Sequence, residues 1–533
     1  RMGSERSLHS ASSLGDHHPN DLDGFDASPR GSLNRGGAFH PSPTGHSRPV
    51  GTHIIGGSSR TLSSMSSMED ENPPKMRSVH EESGECAVSQ TGSLGSHMGS
   101  GAEQEYMHNL QRGAESYADV IIVLREAVSS ANVVKQGLED LARFQLGQED
   151  LETLADVGAP QVIADCLARH RENFDVQLWG YGAIWNMSAT TRNQLAFVQA
   201  GALDSIVPCM GKFLDQDELQ EKAVATLSNL GAAPENLPIL IDCGAVARIV
   251  EAMNKYSEVA SIQIKGCSAA TNLASHNSPL KSQIMQLGIG GAVVIAMVMH
   301  PEDFFLQEKA LRALRNLCAN SDENKLELAN IGGVDAVISA MQVHRDEVGV
   351  QLEGAWTLSN LAGNDANKAV IGDCGGVDVV IRAMWVHSDN VGVQEWCCRA
   401  LYTLTIDPSN GDVALEVGGI SAIVNAMQAH VDSAAVQEMG CAVLGNLAET
   451  KESKMRIVDE EALDAIVLAM VLHADDMQIQ ERACMVLLRL AVSENYKPMQ
   501  AANIGELVRT AAQKFPERCQ EAATRLVRAF DGK

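Results

Sequence analysis

A chain of 533 residues exceeds what one ordinary core holds, so several domains or a repeating array is expected. Its net charge of −27 is uneven: the first hundred residues carry 8 Lys+Arg against 11 Asp+Glu, and the remainder carries 33 against 57. Such an acidic surface argues against nucleic acid and anionic lipid as partners and tolerates basic ones. No run of 18 apolar residues is present to span a membrane, and no signal peptide is visible. Twelve cysteines occur without a C-x-x-C pair. Cys267, Cys398, Cys441 and Cys484 recur at one repeat position, as small apolar residues in packed helices do. Many unpaired thiols favour a reducing compartment, the cytoplasm, with the nucleus as the alternative.

Residues 1–105 are rich in Ser, Gly, His and Pro. Such a segment buries too little apolar surface to offset its ordering entropy and reads as a disordered tail. Ser28-Pro29 and Ser42-Pro43 are dipeptides of a kind that any Ser-rich tail contains. From residue 106 to 533 the chain repeats. Gln177, Gln220, Gln263, Gln307, Gln351, Gln394, Gln437 and Gln480 are spaced 43 or 44 residues apart, with weaker copies at Gln136 and Gln520. Glycine (Gly158 to Gly418), methionine (Met210 to Met470) and asparagine columns keep the same register. This period marks stacked helical repeats, about nine of them.

One unit shows the design. Asp322-Glu323-Asn324-Lys325 opens a short helix with its carboxylates at the positive helix end. Gly332-Gly333 breaks it. Val334, Val337, Ile338 and Met341 then recur at helical spacing. A loop over 344–350 leads to a longer helix over 351–362, with Leu352, Ala355, Leu358 and Leu361 as its stripe. No unit buries its stripe alone, so the core must run continuously through the stack.

Glu353-Gly354-Ala355-Trp356-Thr357-Leu358-Ser359-Asn360-Leu361-Ala362-Gly363 resembles the third helix of the armadillo repeats of importin-alpha and beta-catenin, and Gln220 to Gly231 resembles it too. The A-M-x-x-H and V-Q-E forms are similar to armadillo arrays of protists and ROCO-type kinases. The resemblance covers about 106–530. It implies an all-α, right-handed superhelical armadillo-repeat solenoid behind the tail, with a concave groove lined by third helices. In the family the recurring asparagine bonds the backbone of an extended peptide, a task suited to an amide that both donates and accepts. The matching residues are Asn186, Asn229, Asn272, Asn316, Asn360 and Asn446; the ladder fails at Thr403 and Arg489. Only Trp356 stands where importin-alpha carries its tryptophans, and the tail lacks a Lys/Arg-rich segment, so an import adaptor ranks third.

Candidate site residues follow. His300, His344, His387, His430 and His473 form a column preceded by His170, Phe213 and Tyr256. Rungs lie ~10 Å apart, too far for one metal to bridge, and the aromatic rungs point to packing or capping. Trp179, Trp185, Trp356, Trp396 and Tyr402 form a stripe beside the asparagines, with Arg312, Arg315 and Arg399 at the same offsets. Glutamates one residue after the Gln read as a solvated helix start. The middle of the array, from the Gln307 unit to the Gln394 unit, is the expected partner site. There Asn316, Asn360, Trp356, Trp396, Tyr402, Arg312, Arg315 and Arg399 combine amides, apolar faces and planar donors that suit an acidic-apolar segment. Two alternatives stand: a basic ligand held by Glu308 and Glu395, and arginines that merely pair with neighbouring glutamates. No P-loop, G-x-S-x-G or H-E-x-x-H motif is present. The expectation is a non-enzymatic scaffold for a protein or peptide partner, without catalytic residue, metal, cofactor or small-molecule substrate. The alternative is the regulatory array of a larger signalling enzyme, which the start at Arg1 keeps open.

Overall fold

The computed structural model describes residues 117–275 and 279–530. The predicted tail, 1–105, and the predicted start of the array, 106–116, lie outside the described residues. Within them every regular element is helical. A helix pair, Tyr117–Glu126 and Ala131–Arg143, is followed by nine complete three-helix units, the last ending at Phe530.

Each unit follows one plan. In the Gln351 unit the helices are Asp322–Asn330, Gly333–Val343 and Val348–Leu361. Ser321 caps the first, its hydroxyl accepting from the Asn324 amide. Gly332 turns the chain with φ 85°, a left-handed conformation that costs glycine least. The same turn recurs at every glycine of the column, and Glu461 and Asn503 adopt it in the last two units. The third helix starts at Val348, three residues before the expected Gln351, so the loop is shorter than the sequence suggested.

Units stack third helix on third helix and second on second, giving one continuous core. The Gln column explains its own recurrence. Each Gln is buried, and its Nε2 donates to two carbonyls at the end of the second helix of its own unit. For Gln351 these are Met341 O and His344 O, both at 2.8 Å. Those carbonyls have no helical partner, so the side chain closes the helix end and fixes the angle between second and third helices.

The histidine column is a tie between units. Nε2 of His344 lies 2.7 Å from Pro301 O, and that of His387 lies 2.8 Å from Arg345 O, each in the preceding unit. His170, His300, His430 and His473 repeat the contact. Tyr256 makes it with a hydroxyl, donating to Leu214 O at 2.9 Å. A phenol at the same rung and bond marks the column as structural. The repeated cysteines are buried, and burial pushes the thiols of Cys267, Cys398 and Cys441 up to about 12.

A further asparagine column was missed from sequence. Asn193, Asn236, Asn367, Asn410 and Asn495 sit buried in or beside first helices. Each Nδ2 bridges two carbonyls: the end of the third helix just before it and the first helix one unit earlier. Their spacing followed the repeat. They resembled the polar helix-start residues that surround them, which hid them.

Candidate functional site

The third helices lie side by side and present one row of side chains. The asparagines expected to meet a peptide are half-buried there and already bonded inward. Nδ2 of Asn186, Asn229, Asn272, Asn316, Asn360 and Asn446 donates to a carbonyl of the preceding third helix or its end, at 2.8 to 3.2 Å. Asn186 reaches both Leu141 O and Phe144 O. Asn316 also accepts from Arg315 Nε at 3.3 Å. The ladder is therefore first a device that registers neighbouring units. Where it fails, Arg489 Nη1 reaches Gly445 O at 2.6 Å, while Thr403 donates within its own helix, to Arg399 O.

In the middle of the row the predicted residues do come together, around a carboxylate that the sequence did not single out. Glu353 is buried between two arginines. Arg312 Nε lies 2.8 Å from its Oε1 and Arg315 Nη1 lies 3.0 Å from its Oε2. Arg312 also reaches Glu308 at 3.0 Å, and Arg399 pairs more loosely with Glu395 at 3.4 Å. Burial pushes the Arg315 guanidinium down, opposed by Glu353. Trp356 and Trp396 stack at 3.8 Å with planes 11° apart. Arg315 covers the Trp356 ring at 3.9 Å, and Arg399 lies 5.4 Å from that of Trp396. The expected open apolar face of Trp356 is thus taken up by its neighbours, because side chains of this length on helices ~10 Å apart reach one another. Glu308 and Glu395, read from sequence as a solvated helix start, pair with Arg312 and Arg399, as the alternative reading of arginines paired with neighbouring glutamates had it.

On either side of this centre the row changes. Trp185 extends toward Lys265 two units on, 4.4 Å from its ring. Tyr402 extends toward Arg482 two units on, at 5.4 Å. Between each pair the third helix carries small residues at the facing offsets, Ala225 and Ser228 in one case and Ala442 and Gly445 in the other. Each aromatic can reach across because that floor is low. Trp179 lies between Arg143 and Lys222. The row is therefore a series of aromatic–cation contacts, the residue types that dominate binding hot spots.

Among the described residues no group of three or more His, Cys, Asp and Glu is placed to hold a metal ion. No described helix is long and apolar enough to cross a membrane.

The family model described as LRRK2 ARM repeat matches residues 117–515. Among solved structures, one from work on a phosphorylation switch controlling the interaction between cadherin and beta-catenin matches with a TM-score of 0.63 at 14% identity. It covers 80% of this chain and 84% of its own, a likeness of fold alone. An engineered protein matches at 21% identity and a TM-score of 0.41, over 46% of this chain and 96% of its own. No curated protein matches the chain.

Proposed function

The chain belongs to the LRRK2 ARM repeat family, and from that premise we propose that it is a non-enzymatic scaffold or adaptor holding an extended peptide or helix of a partner protein along its third-helix row. The observation that carries this reading is the row of half-exposed aromatics, each met by a cation, on a continuous stack of third helices. In the middle, Arg399 and Tyr402 are the groups freest to change partner. The Arg399 ion pair is long, whereas Arg315 is held by both Glu353 and Trp356. Asn229 makes a single inward bond and retains amide capacity for a ligand backbone. We place the protein in the cytoplasm, with the nucleus as the alternative compartment.

The test is to capture partners from native extract with the full chain, and then to measure the affinity of the captured partner for the Arg399→Ala/Tyr402→Ala variant. A loss of about 1–3 kcal/mol is expected for two residues at the centre of an interface. Unchanged affinity removes the partner from this part of the row. The ROCO-kinase-like A-M-x-x-H form favours a second reading, a regulatory array within a larger signalling enzyme. The complete reading frame around this chain decides that directly.

A further inference from the structure

The last residue of each second helix forms a column of its own. Local electrostatics favour a cation there, beside the negative helix end. The early units obey with Arg169, Lys212 and Lys255, and the final unit obeys with Lys514. Three of these also meet a carboxylate of the preceding unit: Lys212 pairs with Glu172, Lys255 with Asp215 and Lys514 with Asp475. Each of those acids stands two residues beyond its own helix cap. That position is acidic in every unit from Glu172 to Glu517.

The five units between break the rule. The lysine position holds Met299, Val343, Val386, Ala429 and Leu472, all exposed. The acids that such lysines would meet, Glu258, Glu302, Asp346, Asp389 and Asp432, are exposed and form no ion pair among the described residues. The preceding column adds Val298 at 65% exposure, Trp385 at 47% and Val471 at 54%, with exposed Gln342 and Gln428 in the two units between. Second helices of successive units pack on one another, so these residues form five consecutive rungs, each an apolar side chain beside a carboxylate. Clefts open between rungs, one floored by Met297 and Ala336, the next by Met341 and Val379. Arg345 and Arg382 both line the second cleft; Arg345 Nε donates to Gln342 O at 3.0 Å and Arg382 pairs with Asp378 at 2.6 Å.

Exposed apolar side chains repeated on successive units mark an interaction site. A consistent local rule abandoned in five adjacent units, and kept on both sides, is where function overrides local preference. We propose that this seam docks a basic amphipathic helix of a partner protein, a surface separate from the third-helix row. The partner's cations replace the missing lysines, and its apolar residues cover Met299, Val343, Trp385, Val386 and Leu472. Spacing selects a helix. Rungs ~10 Å apart match one heptad, seven residues at ~1.5 Å each. One Lys or Arg and one large apolar residue per heptad therefore meets every rung. A second copy of this chain would set carboxylate against carboxylate, and an anionic lipid surface would be repelled in the same way.

The experiment uses the full chain and a fluorescent peptide of roughly 35 residues, five heptads long, with Leu and Lys on one face, followed by anisotropy. A matched peptide carries Glu in place of Lys. In Val343→Lys/Val386→Lys the new lysines restore the pattern of Lys212 and Lys255 and face Glu302 and Asp346, so the fold tolerates them. Binding of the Leu/Lys peptide should weaken about tenfold or more, while Gln145→Lys/Gln148→Lys, with the same added charge elsewhere, stays within about twofold of the parent. Equal weakening in both variants would mean diffuse attraction and overturn the site. So would an unaffected seam variant, a parent that does not bind, or equal binding of the Glu peptide.

Discussion

Glu353 and Asp346 lie within one unit and live opposite lives. Glu353, on the third helix, is buried, and Arg312 and Arg315 from the unit before it both reach its carboxylate. Asp346, just beyond the second helix, is exposed, and the position that supplies lysine in an early unit is here Val386. The same repeat thus closes its charges on one surface and leaves them open on another. A buried ion pair holds units in register, and breaking one is costly. An exposed carboxylate beside an apolar side chain adds little to the folded chain and is available to a partner. Recurrence alone does not separate these roles, since both positions belong to the repeat. The presence or absence of a counter-charge one unit away does.

The comparison breaks most visibly at Glu353. Glu353→Ala removes a buried carboxylate and leaves the partly buried guanidinium of Arg315 without it, which should cost about 3 kcal/mol by urea unfolding. Asp346→Ala should change stability by less than about 0.5 kcal/mol. Comparable effects at the two sites would erase the distinction. The aromatics sharpen it within the third-helix row. Trp356→Ala loses a stacked ring and a cation contact and should cost about 1–3 kcal/mol. Trp185→Ala, which loses one cation contact at an exposed ring, should cost less than about 1 kcal/mol.

A smaller effect is expected at the inter-unit ties. His344→Ala should cost about 1 kcal/mol through the lost bond to Pro301 O. His344→Tyr should lie closer to the parent, because Tyr256 makes the equivalent bond. A tyrosine variant as unstable as the alanine one would refute that equivalence. The smallest effect is one of pH. Burial raises the Glu438 pKa above its ordinary value, against the pull of Arg482 and Arg399. The folded state therefore takes up that proton at higher pH than the unfolded state. Stability from this group rises as pH falls through the raised pKa, and levels off below the ordinary glutamate range. The difference in urea midpoint between the parent and Glu438→Gln, followed against pH, should show that slope and sign.

The 43–44-residue spacing of Gln, Gly, Met and Asn determined by itself that the chain is a helical repeat array, where its turns fall and which residues stack. It did so because each column serves a contact that recurs from unit to unit: a helix end closed by Gln351, a left-handed turn at Gly332, a neighbouring helix tied by Asn360. The site was legible only as a set of positions. Arg312, Arg315, Trp356, Trp396 and Arg399 fall in one neighbourhood, and pairing of the arginines with Glu308 and Glu395 was one reading of the sequence. The Trp356–Trp396 stack and the reach of two arginines to Glu353 were not visible, because they depend on how far each side chain extends across the gap to the next unit. Glu353 went unnoticed, since no other unit carries glutamate two residues after its Gln and the sequence shows no reason for one. The bare carboxylates of the second-helix seam stand 40 or more residues from the lysine position that would neutralise them. Tertiary structure alone decided these outcomes. Stacking brings residues one period apart to within a few ångströms, and whether a charge meets a partner there is a property of two units together.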